Sequence, residues 1–392
     1  MFGIGRHGPD GKYAIVLDIG SASAAGAIVA SDTITDVNPV IFSHREWAVI
    51  KDADAENPTR FIEEAILRIF LVLNSQGLTA LRSYDKHANI SYIQGAVPAP
   101  WADTVTKQAE YEGEEPFTIT NKLVESLVET AKTETMNSDD TTAFLKKQGL
   151  EVITDQTLHM TANGYTIKHP EGLEAKKLYI SHSSGLASSS IIEAVKEHTE
   201  KTFSGARISL NTFILAYYTG IRDLFPNMTD ACLVDITGEA TEIGVVRNTE
   251  LTRVSHSLIG IQTLSRMLAD SLKMPEGTAR SLLFSGGLDL NEKQKIVAES
   301  VFDEYKEEIA NLFKSLGDNL SVPKNIYLHT DRVTEEFFRP MIKRAAERAT
   351  GGTHTVIPVT ASLFEQKNVN DTAILFSSYL FHKLHKQGTL TK

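Results

Sequence analysis

The sequence predicts an α/β protein built as two similar lobes, and three observations lead there. The first is a repeat: YAIVLDIGSASAAGAIV at 13–29 and ACLVDITGEATEIGVVR at 231–247 share one layout, about 220 residues apart. Each is an apolar run ending on an acid, a small-residue turn and a second apolar run, which is the pattern of a β-hairpin. The second is length, because 392 residues exceed what one compact core organises. The third is composition: 42% hydrophobic and 23% charged residues are those of a globular chain, not a disordered one.

The elements follow in order. After the first hairpin, RFIEEAILRIFLVL at 60–73 sets Phe61, Ala65, Ile66, Ile69, Phe70 and Leu73 on one side of a helix. A strand is expected at 90–98, a polar loop at 102–116, a helix at 120–134 and a loop in the Asn/Ser/Asp/Thr cluster at 137–142. Strands are expected at 151–160, 163–167 and 176–183, with Asn163-Gly164 as a hairpin turn. A helix at 188–202 has Ser188 to Ser190 as candidate N-caps, and 208–225 reads as a short strand running into an apolar helix. After the second hairpin come helices at 261–273, 275–285, 292–316, 334–349 and 372–386, and strands at 324–329 and 355–359.

Charge and cysteine usage exclude several classes. A net charge of −11 opposes general nucleic-acid binding, which needs a concentrated basic face. The single cysteine, Cys232, excludes an intrachain disulfide framework and a cysteine-based zinc site, and its apolar run predicts a buried structural thiol. The start of the chain carries no apolar stretch of signal-peptide length, and no window approaches the roughly 20 apolar residues of a membrane span. The expectation is a cytoplasmic protein, peripheral to the inner face of the membrane, that meets the membrane only through partners.

A tight turn between two strands exposes successive backbone N–H groups, which together bind anions, and Gly or Ser there allows close approach. Ser21 and Ser23 add hydroxyl donors, while Asp18 and Asp235 stand at strand ends where carboxylates can hold a hydrated Mg²⁺. Two such turns facing one another would clamp a triphosphate and its metal.

LDIGSASAAGAIV resembles the first phosphate motif of actin, Hsp70 and sugar-kinase relatives, and LVDITGEATEIGVV resembles the second. HMTANGYTIKHPEGLEAKKLYISHSSG at 159–185 and LTRVSHSLIGIQTLSRMLADSL at 251–272 are similar to segments of the bacterial FtsA and PilM group. The resemblance covers roughly residues 13–376 and implies an actin-like two-lobed fold of duplicated RNase H-like domains with an FtsA-type inserted subdomain. By that likeness, 1–85 and 177–210 form the first lobe, 86–176 the insert, and 211–392 the second lobe with a helical insertion. It implies ATP and Mg²⁺ as ligands, with Asp18, Gly20, Ser21 and Ser23 in the first motif and Asp235, Thr237, Gly238 and Thr241 in the second. Gly260, in the strand, glycine and helix after it, completes the set. Asp18 and Asp235 would face the metal, and no catalytic residue is assigned.

The departures from the family pattern erode that site. Glu239 and Ala240 stand where glycines are usual, and a carboxylate about 4 Å from phosphate costs on the order of 4 kcal/mol at an effective dielectric of about 20 unless it rotates outward or a metal bridges it. The acid after the Thr pair survives as Glu242. Arg280 and Leu283 replace the polar adenosine contacts, and His329 and Thr330 stand where a Gly pair begins the adenosine motif. Asn211 is the polar amide near the position of the water-orienting residue and has no carboxylate neighbour in sequence. ATP binding is therefore compatible with the sequence while its hydrolysis is doubtful. The leading reading is a scaffold in cell division or type IV pilus assembly that grips the tail of a membrane protein and is capable of polymerising. An active sugar or acid kinase is the alternative, and an Hsp70-type ATPase is disfavoured because no peptide-binding region follows the second lobe.

Three further features have plainer readings. His382 and His385 fit a solvated helix face better than a metal site, and 372–386 reads as the last helix of the fold rather than a membrane anchor. Trp101 is either a surface anchor for a partner or a residue packed within its own subdomain. SGG at 285–287 resembles a phosphate loop only superficially.

Overall fold

A computed structural model describes residues 13–48, 59–136, 149–285, 290–317, 322–331, 334–364, 366 and 369–388. The loop expected at 137–142 and the glycines at 286–287 lie outside them. The chain divides into two compact units: Met1–Pro98 with Ser190–Leu224 and Val359–Lys392, and Ala99–Ser189 with Phe225–Pro358.

In the first unit, β1 (Tyr13–Ile19), β2 (Ser23–Ala30) and β3 (Val40–Trp47) form an antiparallel meander. Strands β4 (Tyr92–Val97) and β9 (Arg207–Thr212) extend it in parallel, giving the order β3-β2-β1-β4-β9. β1 is an uninterrupted apolar run because it is buried on both faces. One face carries α1 (Arg60–Val72), which continues through a π-helical turn (Leu73–Gly77) into α2 (Leu78–Tyr84). By length and composition this helical stretch is apolar enough to cross a membrane, which corrects the expectation that no window approaches that limit. In the fold, its Ile62, Ile66, Ile69, Phe70 and Leu73 are buried side chains of the unit. A Cβ on Gly26 of β2 would lie 2.6 Å from Ile69 Cγ2, so glycine is what lets α1 approach. The unit is completed by α4 (Ser189–Thr202), α5 (Phe213–Leu224) and the last helix, named below.

The second unit repeats the same sheet. Here β10 (Ala231–Ile236), β11 (Thr241–Arg247) and β12 (Glu250–Ser257) are antiparallel, while β13 (Asn325–Thr330) and β14 (Thr355–Pro358) add parallel to β10. The order, β12-β11-β10-β13-β14, matches the first unit position for position. Alternate residues Cys232, Val234, Ile236, Ile243 and Val245 face a core closed by α6 (Ile261–Leu272), α7 (Glu276–Ser285), α8 (Glu292–Gly317) and α9 (Glu335–Thr350). Cys232 is wholly buried, and burial pushes its thiol pKa far up.

The same unit holds a third sheet of β5 (Ala102–Thr118), β8 (Glu174–Ser188), β6 (Leu150–Ala162) and β7 (Tyr165–Thr166), with α3 (Asn121–Met136) on one face. Residues 102–116, expected as a polar loop, are therefore most of a strand. Its outer half is exposed and has no apolar alternation to read, and antiparallel pairing with β8 supplies what local sequence does not. Trp101 is buried, so the surface-anchor alternative falls. The last helix, α10 (Thr372–Lys386), packs on β1 of the first unit. Its His382 is buried rather than solvated, held by Ser31 Oγ at 2.8 Å and Asp36 Oδ1 at 2.9 Å, while His385 meets Ser31 Oγ at 2.7 Å.

Candidate functional site

The first unit brings Asp18, Gly20, Ser21 and Ser23 together on the β1–β2 hairpin. Asp18, Ala25 and Arg45 share one cross-strand row, since Asp18 pairs with Ala25 and Ala25 with Arg45. The small Ala25 side chain leaves room for the guanidinium to reach across it. Arg45 Nη2 donates to Asp18 Oδ2 at 2.8 Å, and Nη1 donates to Ser23 Oγ at 2.7 Å. Nε and Nη2 donate to both oxygens of Asp371, the residue before α10, at 2.8 and 2.9 Å. Asp371 Oδ1 also accepts from Ile374 N at 3.2 Å and so caps that helix. The side chains of Asp18 and Arg45 are 2% and 12% exposed. The fork therefore grips Asp371, whose side chain is 21% exposed, and a single charge-assisted bond holds the buried Asp18.

The second unit brings Asp235, Thr237, Gly238, Thr241 and Gly260 together on the β10–β11 hairpin. Its turn closes on itself: Thr237 N donates to Ala240 O at 2.9 Å. The first turn of α6 then docks on it, with Ile261 N donating to Thr237 O at 3.0 Å and Gln262 N to Gly238 O at 2.7 Å. Helix N-terminal N–H groups that would serve an anion are satisfied by protein carbonyls. A Cβ on Gly260 would lie 2.4 Å from Thr237 O and 2.6 Å from Ala240 N, so only glycine permits this docking. Thr241 Oγ1 donates to Ile259 O at 2.7 Å.

Glu239 of the hairpin turn reaches the helix that docks on it. It accepts from Arg266 Nη1 at 2.8 Å and Thr263 Oγ1 at 2.9 Å on α6. Leu283 is a core residue beside Ala279, which explains its apolar character.

A second row crosses this sheet: His256 on β12, Glu242 on β11, Asp235 on β10 and His329 on β13 are register partners in turn. Asp235, Glu242 and His329 are buried, as is the side chain of His256. His329 Nδ1 lies 2.6 Å from Asp235 Oδ1, and His256 Nδ1 lies 3.0 Å from Asp103 Oδ1. Asp235 Oδ2 and Glu242 Oε2 have no hydrogen-bond partner among the described residues. Burial, then the nearby Asp235 and Asp103 carboxylates, raise the Glu242 pKa well above the carboxylate range, which keeps it protonated.

These residues do not fit a hydrated Mg²⁺ as the resemblance implies. The Asp18 carboxylate is bonded by a guanidinium and one Asp235 oxygen by an imidazole. Reading the sequence did not place Arg45, Asp371, His256 or Arg266 in these clusters. For Arg45 a signal existed: an arginine on the strand next to a small-residue strand, opposite a buried Asp.

No family model matches the sequence, and no curated protein does. Among solved structures, a chain of a PilM–PilN type IV pilus biogenesis complex superposes with a TM-score of 0.60 and 14% identity, covering 95% of this chain and 98% of that one. The chain has the actin-like ATPase fold. Two more distant actin-like matches are EutJ, an ethanolamine utilization protein from Carboxydothermus hydrogenoformans, and a protein of unknown function from Bacteroides thetaiotaomicron. EutJ has a TM-score of 0.41 at 15% identity and the Bacteroides protein 0.42 at 7%. EutJ covers 88% of this chain and 84% of its own, and the Bacteroides protein 94% and 96%. The duplicated five-stranded sheets are the two halves of that actin-like fold.

Proposed function

We propose that the chain is a cytoplasmic actin-like scaffold, peripheral to the inner face of the membrane, that recruits the tail of a membrane protein in an assembly of the type IV pilus kind. In this reading the sheet at 102–188 belongs to an inserted subdomain used for partners, copies of the chain are able to associate, and ATP hydrolysis has been lost. One observation carries it: both strand-end aspartates that a nucleotide's metal would need, Asp18 and Asp235, are already engaged by Arg45 and His329. The closed 237–240 turn supports the same conclusion. The likeness to a PilM–PilN complex supports protein partners over a small-molecule substrate.

Isothermal titration with Mg²⁺-ATP tests the reading. No heat of binding is expected up to millimolar nucleotide. Micromolar binding, with turnover that Asp18→Ala abolishes, overturns it.

A further inference from the structure

Within the second unit, the end of β12 and the first half of α6 face α8 across an open groove of about 790 Å³. Its apolar lining includes Leu258, Met267 and Leu312, and Leu258 is 54% exposed. Its other wall is acidic. Glu304, Glu307 and Glu308 follow one another at helical spacings of three and one, so all three look out from one side of α8.

The three glutamates differ in what answers them. Arg348 Nη1 meets Glu307 Oε2 at 2.7 Å, so that charge is balanced within the unit. Glu304 and Glu308 have no ion pair among the described residues. Glu308 Oε1 accepts from Ser257 Oγ at 2.7 Å, which fixes its carboxylate at the rim rather than leaving it to swing into solvent. A half-exposed leucine beside two unbalanced carboxylates, one of them oriented, is complementary to a ligand with an apolar side chain flanked by cations. An anionic ligand would be repelled, and a purely apolar one would leave the carboxylates partly desolvated without a partner.

We propose that this groove docks a peptide segment carrying basic side chains on either side of one apolar residue. The inference rests on the reading that the chain recruits protein partners, and it adds the chemistry of the segment that is gripped. Leu258 and Met267 take the apolar side chain, and Glu304 and Glu308 take the cations.

Fluorescence anisotropy on the full chain, with a labelled peptide of alternating arginine and leucine as the probe, tests it. Micromolar binding that weakens with added salt is expected, and Glu304→Lys with Glu308→Lys together weaken it by about tenfold or more. Glu292→Lys, on the same helix outside the groove, leaves binding unchanged. Glu304→Gln with Glu308→Gln serves if the reversed variant fails to fold, with a smaller loss of the same sign. Absence of binding, or equal weakening by Glu292→Lys, overturns the proposal. So does an oligomer, seen by ultracentrifugation, that the double variant dissociates, because the groove's occupant is then a second copy of the chain. The nucleotide titration is independent of this result: peptide binding can fail while nucleotide binding stays absent, and the two readings then separate.

Discussion

The two hairpins have the same local plan and solve the same electrostatic problem in different ways. Each ends its first strand on an aspartate that is 1% exposed. At Asp18 the answer is Arg45, a guanidinium that stays charged at every ordinary pH and also ties in Asp371. At Asp235 the answer is an imidazole, His329, with a neutral Glu242 on the other side. The first partner is a permanent cation, whereas the second site rests on an imidazole and on a carboxyl that burial pushes towards its protonated form. The duplicated fold thus conserves the position of a buried charge without conserving what balances it.

Four variants break or sharpen that contrast. Arg45→Met leaves Asp18 buried and unbalanced and is expected to cost about 3–5 kcal/mol, measured by urea denaturation. His329→Phe is expected to cost about 3 kcal/mol, less than Arg45→Met because His329 answers one carboxylate where Arg45 answers two. Equal losses in the two variants would remove the contrast.

Glu242→Gln acts in the opposite sense. The folded-state pKa of Glu242 is raised, so its contribution is fully present below the unfolded carboxyl value and is lost as pH rises towards the folded value. The glutamine variant lacks that loss. Relative to the parent it should gain up to about 1.4 kcal/mol per pH unit above about pH 4.5, seen as a flatter curve of stability against pH in paired denaturation series. A gain that falls with pH would mean that Glu242 is ionised in the fold. Glu239→Gly is expected to change stability by less than about 1 kcal/mol, since its partner Arg266 is 40% exposed. Differential scanning calorimetry suffices to check it, and a large loss would mark the Glu239–Arg266 pair as structural.

How much was legible follows from where the information lies. The hairpins, the helices at 261–273, 292–316 and 372–386, and the strand-to-helix run at 208–225 were readable because apolar periodicity and chain punctuation are local. β5 was not, because its outer residues are exposed and its partner strand β8 lies some 70 residues on. Trp101 and His382 carried ambiguous residue types, and only packing decided that both are buried. In the site, the sequence marked Asp18, Asp235, Gly238, Glu239 and Gly260 as candidates, and it left Glu239 either to be bridged by a metal or to rotate outward. It had no means of finding Arg45 beside Asp371, which are 326 residues apart, or the row from His256 to His329.

The amino-acid sequence by itself determined the duplication: two apolar strands ending on an acid, each folding back through a small turn, which propensity and burial make into matching hairpins. Tertiary structure alone decided what those acids face. A carboxylate's partner is chosen by which strands become neighbours and in what register, and one residue of register shift would point Arg45 or His329 to the other face of its sheet.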